Sequence, residues 1–227
     1  MKDKLKQIVV LATLLLAVGC TETTPDALKE ALVGQNYWLI NANNDSSQVE
    51  FLETCTRHFN WQAFIVNEWE IKEVDGQLML NFDTHDFEPK QSADGGFEFH
   101  CAKTGERLVK ATDATYNSEA LLGTWEDAHY FGKQPGELPP CPNGSPLVPS
   151  ITFKADGCIL LDFCASKVKP YQINALAKII CVGDPCAVGD QWKIKELSGD
   201  KLVLDMRRMD GDKLSYEFNK WYVRVKG

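Results

Sequence analysis

Beyond residue 35 the chain alternates apolar and polar positions with period two, and two stretches do so around a turn. One runs from Trp69 through Ile71 to Gly76, then out through Leu78, Leu80 and Phe82. The other runs from Trp192 through Ile194 to Gly199, then out through Leu202, Leu204 and Met206. Both open Trp-x-Ile-Lys-Glu, and both turn at Asp-Gly or Ser-Gly-Asp chemistry. Alternation on two arms around such a turn predicts a β-hairpin, so Trp69 and Trp192 are read as structural landmarks of two related β units.

Other landmarks recur in order. Ala31-Leu-Val-Gly34 precedes Trp38, and Ala120-Leu-Leu-Gly123 precedes Trp125. Each predicts a short helix stopped by glycine; Thr24-Pro25-Asp26 is a helix start and Ser118 is read as the second cap. Phe97-Glu-Phe99 is echoed by Tyr216-Glu-Phe218, and Arg107-Leu-Val-Lys110 loosely by Arg224-Val-Lys226. Ordered repetition points to a tandem repeat. The predicted fold is all-β: two small antiparallel meander barrels or sandwiches, each preceded by a short helix, over residues 27–112 and 118–227. The first should hold six or seven strands, with residues 83–96 as a polar loop.

The second unit carries about twice the separation between its glycine and its hairpin tryptophan. Residues 132–149 hold six of the chain's ten prolines, which exclude them from a central strand and predict an ordered surface loop or lid. Residues 168–189 fit helix and strand periodicities equally.

The N-terminus differs from everything after it. Lys2, Lys4 and Lys6 precede an uncharged apolar run of 11 residues, Ile8 to Val18, which is too short to span a bilayer and suits a signal peptide over residues 1–19. Leu16-Ala-Val-Gly-Cys20 resembles a bacterial lipobox. That resemblance implies cleavage before Cys20, acylation of its thiol by chains such as palmitate, and a tether over residues 20–26. Two or three chains anchor stably where one does not. Thr21 stands where an aspartate would resemble an inner-membrane retention signal, which leans the expected location towards the outer membrane, facing the periplasm. An ordinary secretory signal is the alternative.

Gly123-x-Trp125 just after a short helix, followed by a hairpin meander and an arginine near the end, resembles the lipocalin (calycin) pattern. The resemblance implies that Trp125 packs at the closed end of a barrel beneath Arg224 from the last strand, as a cation–π contact. In the first unit it implies the same of Trp38 and Arg107. These residues are then structural, and an eight-stranded barrel has room for about one small ligand.

Charge narrows the partners. The chain carries −8; residues 1–19 contribute +2, leaving −10 on the remainder. That balance gives no electrostatic case for nucleic acid. Membrane contact is expected through the N-terminal lipid alone.

Seven cysteines remain after Cys20: Cys55, Cys101, Cys141, Cys158, Cys164, Cys181 and Cys186. An exported chain with so many reads as disulfide-bonded, and an odd number leaves at least one without an intramolecular partner. Cys158 and Cys164 cannot pair along one strand, where six steps span about 20 Å against a limit of about 7 Å. Cys55–Cys101 is the one pairing confined to the first unit, Cys181–Cys186 would close a Gly/Pro loop, and Cys141 could staple the proline-rich loop to Cys158 or Cys164. The metal alternative is a set of Cys55, His58, His100 and Cys101, whose spacing is no recognised finger.

No nucleophile elbow, His-Glu-x-x-His, phosphate loop or dinucleotide fingerprint occurs. His85, between Asp83 and Asp86, reads as a solvated loop residue, and Asp210-Gly-Asp212 as hairpin chemistry. The chain is therefore expected to be non-catalytic and without cofactor. It would bind a small apolar or amphipathic ligand or act as an interaction module; the alternative is an envelope scaffold with filled barrels, and an enzyme is the weakest option. Non-reducing peptide mapping should find most of the seven cysteines bridged; if most react freely with a thiol reagent, the disulfide framework is wrong.

Overall fold

A computed structural model describes residues 23–60, 63–112, 116–211 and 213–226. The signal segment and Cys20 lie outside the described residues.

The fold is all-β, with two antiparallel sheets, each barrel-like. Helix α1 (Pro25–Leu32) opens the first unit. Thr24 Oγ1 accepts from the Ala27 N–H at 3.2 Å, Pro25 needs no donor at the first turn, and Leu28 and Leu32 are fully buried. Gly34 then takes a φ of 74° to redirect the chain into β1.

The first sheet has nine strands rather than six or seven: β1 (Asn36–Ile40), β2 (Ser46–Phe51), β3 (Thr56–Asn60), β4 (Ala63–Asn67), β5 (Trp69–Val74), β6 (Gln77–Phe82), β7 (His85–Gln91), β8 (Phe97–His100) and β9 (Arg107–Lys110). Their order is β4-β3-β2-β1-β9-β8-β7-β6-β5, so consecutive strands β4 and β5 form its two edges. The residues expected to be a polar loop contain β7. Its turn uses Asp83 and Thr84, both at positive φ (49° and 66°), a hairpin geometry that their side chains advertise less clearly than Asn-Gly would.

The second sheet is a closed eight-stranded barrel: β10 (Gly123–Asp127), β11 (Ser150–Phe153), β12 (Cys158–Asp162), β13 (Ser166–Asn174), β14 (Ile179–Val182), β15 (Asp190–Ser198), β16 (Lys201–Asp210) and β17 (Lys213–Arg224). Residues 168–189 thus resolve as strand, turn and strand, because β14 buries all four side chains, two inside the barrel and two beneath the first unit. The helix expected at Ser118 is a 3-10 turn, Ser118–Leu121, with Asn117 before it and no side-chain cap.

At the barrel's closed end Trp125 is fully buried and its Nε1 donates to Leu121 O at 2.7 Å. Arg224 lies 4.1 Å above the indole and donates to the carbonyls of Leu122 and Ala120. Gly123 has a φ of 111°, and a Cβ there would sit 3.3 Å from Arg224 Nη1. Glycine suits this position first for its left-handed φ, and a Cβ would also press on the end of the Arg224 guanidinium.

The first unit uses other residues. Trp38 faces outward, 36% exposed, and Arg107 is exposed, so the expected Trp38–Arg107 contact is not made. The register shows why: Trp125 faces Arg224, and the pair at that position here is Tyr37 and Lys110. Tyr37 is fully buried and its hydroxyl donates to Ala31 O at 3.1 Å, as the Trp125 indole does to Leu121.

The repeated hairpins are both present, as β5–β6 and β15–β16, with Trp69 opposite Phe82 and Trp192 opposite Met206. Trp192 is buried in the barrel; Trp69 packs edge-on against Phe51 and donates to Leu52 O at 2.8 Å. The units do not correspond strand for strand. Three strands follow the hairpin in the first unit and one in the second, and Phe99 is buried whereas Tyr216 and Phe218 are exposed.

The units are fastened together. Cys55 on the first pairs with Cys186 on the second. Beneath them Arg57, buried, donates to Glu50 Oε2 at 2.6 Å and to Gln172 Oε1 at 3.1 Å. Gln48 Nε2 donates to both Asn36 Oδ1 and Asn174 Oδ1.

Replacing Arg224 by alanine should cost about 2–4 kcal/mol, from the lost ring contact and two carbonyls left without charged donors. Urea denaturation checks this; Arg224→Lys, which lacks the planar fork, should fall between the two.

Candidate functional site

The barrel's open end is where the loops differ most from scaffold. Residues 128–149 arrive there between β10 and β11, and the Cys141–Cys164 disulfide fastens them to the turn after β12. Cys164 takes a φ of 69°, as part of that tight turn. The staple expected of Cys141 is thus made to Cys164, and Cys158 remains a half-buried thiol.

Beside this staple lies a cup of about 480 Å³, within the range of small-molecule sites. Its floor is apolar: Leu161, Phe163, Met209 and the indole of Trp192. Its wall is cationic. Lys167 and Lys169 fall on the same side of β13 as Tyr171 and Ile173, which pack on the barrel core, while Val168 faces solvent at 60% exposure. β13 thus carries its charges on the inner phase, the reverse of the usual strand, with Lys169 half-buried and Lys167 exposed at the rim. Arg208 contributes from β16; its guanidinium sits 5.5 Å from the Phe163 ring centroid and 3.4 Å from Glu217 Oε2. Asp190 adds the cup's single carboxylate, one oxygen of which accepts the Met209 N–H at 2.9 Å. Among the described residues neither Lys167 nor Lys169 has an ion-pair partner.

Below the cup the barrel is filled by Trp125, Phe153, Ile159, Ile180, Trp192, Leu204, Met206 and Tyr222. The opening therefore holds a head-sized or short-chain guest, not one threaded through the barrel. A second groove of about 450 Å³ separates the units, with Trp38, Phe59, Ile179 and Lys193 on its walls.

The other sequence candidates do not converge. Cys55 is consumed by Cys186, so neither Cys55–Cys101 nor Cys181–Cys186 forms. The loop after β14 presents Cys186 to Cys55 of the other unit, and Cys101 and Cys181 remain buried thiols. His58 stacks 5.2 Å from Phe82, and burial holds its pKa below the usual imidazole range, with Asp83 opposing weakly. His100 sits 3.4 Å from Glu98. Among the described residues no group of three metal-ligating side chains forms, so the Cys55/His58/His100/Cys101 alternative has no geometric basis there. His85 bonds through Nδ1 to Asp83 O at 2.8 Å, Asp86 pairs with Lys72 at 2.8 Å, and His129 rests edge-on against Tyr130.

Sequence reasoning missed Lys167 and Lys169. The signal was available: in Lys167-Val-Lys-Pro-Tyr-Gln-Ile173 the apolar Tyr171 and Ile173 set the inward phase, which puts both lysines inward.

No protein-family model matches the chain, and no curated protein matches it.

The cysteines give a chemical test. Cys181 is buried between the units, and burial pushes its thiol up from 9.0 to about 11, with Arg57 opposing. A thiol raised by folding contributes stability that is present below pH 9 and lost as pH rises through about 11, because the unfolded chain ionises first. Cys181→Ala should flatten that alkaline loss, read by urea denaturation between pH 8 and 11. In the native protein at pH 8, iodoacetamide should modify Cys158 first and reach Cys101 and Cys181 only on unfolding.

Proposed function

We propose that this chain is an envelope lipoprotein, anchored by acyl groups on Cys20, whose second unit is a lipocalin-like cup for a small amphipathic molecule. The observation that carries the reading is the open mouth of the second barrel: an apolar floor under cationic walls, rimmed by a disulfide-clamped loop. The lipobox resemblance and the −10 charge of the mature chain support exposure of the whole β body to water, with the lipid as its membrane contact. The Gly123–Trp125–Arg224 closure supports the lipocalin likeness. The cup is a binding element, not a catalyst, in this reading: its cations face an apolar floor, and the chain's histidines are engaged elsewhere.

A scaffold is the second reading, favoured by the densely filled barrel below the cup. Native mass spectrometry of the protein taken from its own envelope separates the two. A co-purifying small molecule is expected; its repeated absence, with no small amphiphile bound on addition, favours the scaffold. Acyl labelling should be lost in Cys20→Ser, and persistence of the label would remove the anchor from the proposal.

A further inference from the structure

Lysine pointing inward beside a filled apolar core is costly unless it reaches water or an anion. In this barrel two stand side by side on the inner phase of one strand, at the mouth opposite the Trp125–Arg224 pair, Lys169 half-buried and Lys167 reaching water at the rim. The rest of the chain is strongly acidic, so Lys167, Lys169 and Arg208, set against Asp190 and the Arg208-paired Glu217, are a local reversal of sign. The carboxylates do not cancel them: three cations face two carboxylates, Glu217 sits 3.4 Å from Arg208, one Asp190 oxygen accepts the Met209 N–H, and neither acid forms an ion pair with Lys167 or Lys169 among the described residues. Arg208 itself retains a buried Nε that has no acceptor among the described residues. Lys167 and Lys169 are left as the uncommitted charges.

We infer that the cup takes an amphipathic anion: a carboxylate or phosphate seated between Lys167 and Lys169, with its apolar part laid over Phe163 and Trp192. The inference rests on the binding reading above and names the ligand's chemistry. The two lysines stand two residues apart on one strand, about 7 Å between backbones, which lets both ammonium groups reach one oxyanion. Lysine suits this role because its flexible stem brings a point charge to an acid group without demanding a fixed bidentate plane. Phe163 is held at the floor by the Arg208 guanidinium above it, so the apolar surface beneath the head is fixed before a guest arrives. The Cys141–Cys164 staple stands one residue from Phe163 and keeps the rim closed on that side.

Isothermal titration of the full chain with four probes sharing a twelve-carbon tail tests this: laurate, dodecyl phosphate, dodecanol and dodecyltrimethylammonium, with inorganic phosphate as the head alone. Laurate and dodecyl phosphate should bind at least about tenfold tighter than dodecanol, and the advantage should shrink as salt is raised. In K167Q/K169Q the anions should fall to within about twofold of dodecanol, whose own affinity should not move. Both lysines lack ion-pair partners among the described residues, so the variant should keep its thermal melt. If dodecanol binds as tightly as laurate, or the double variant keeps the preference, the anion seat is wrong while the cup stands. If inorganic phosphate binds as tightly as dodecyl phosphate, the apolar floor takes no part and the amphipathic assignment is overturned. If no probe binds, both this inference and the binding reading fall.

Discussion

Eight strands close into a barrel only when the last finds the first, and in the second unit that junction is held by Arg224. Its guanidinium covers the Trp125 ring and ties two carbonyls of the preceding 3-10 turn, so one side chain joins β17, β10 and the chain leading into them. Indole, carbonyls and cation satisfy one another in a partly buried place over the fully buried Trp125 ring. The glycine at 123 is the geometric condition for this, since any side chain there would crowd the guanidinium. With the bottom sealed, the opposite end is left as the place where loops and charges can vary.

The first unit shows the same opening with a weaker seal. Tyr37 fills the tryptophan's place and Lys110 the arginine's, and the sheet stays open between β4 and β5. What it lacks in closure it gains from its neighbour. The Cys55–Cys186 bond bridges 131 residues, and on chain-entropy grounds such a loop restrains the unfolded state by on the order of 5 kcal/mol. The interface beneath it carries two polar sets, Arg57 bonded to Glu50 and Gln172, and Gln48 bonded to Asn174. A hydrogen-bonded interface of this kind fixes orientation more than it adds stability. The units are thereby held in one arrangement.

The parts the two units do not share lie together. The hairpins, glycines and buried aromatics are construction. The long loop, its staple and the inverted β13 pattern occur once, and they meet at one rim. The lysine pair has no ion-pair partner among the described residues, which is why it is read as a site.

Much of the architecture was legible in the residues alone. Period-two alternation gave an all-β chain and the recurrent Trp-x-Ile-Lys-Glu gave two units, because each of these is a local rule of backbone and side-chain geometry; the pairing of Trp125 with Arg224 came from the resemblance to the lipocalin pattern. The sequence could not place Tyr37 over Trp38, since two adjacent aromatics differ only in strand phase, and phase is set by the partner strand's register. Nor could it pair the cysteines: Cys55 meets Cys186 only because one unit docks on the other, and spacing along the chain carries no record of that. The same holds for the cup, whose lysines and arginine come from β13 and β16 and whose floor comes from β12 and β15. Their types were written in the chain; their convergence was decided by closure of the barrel, which brings distant strands around one opening.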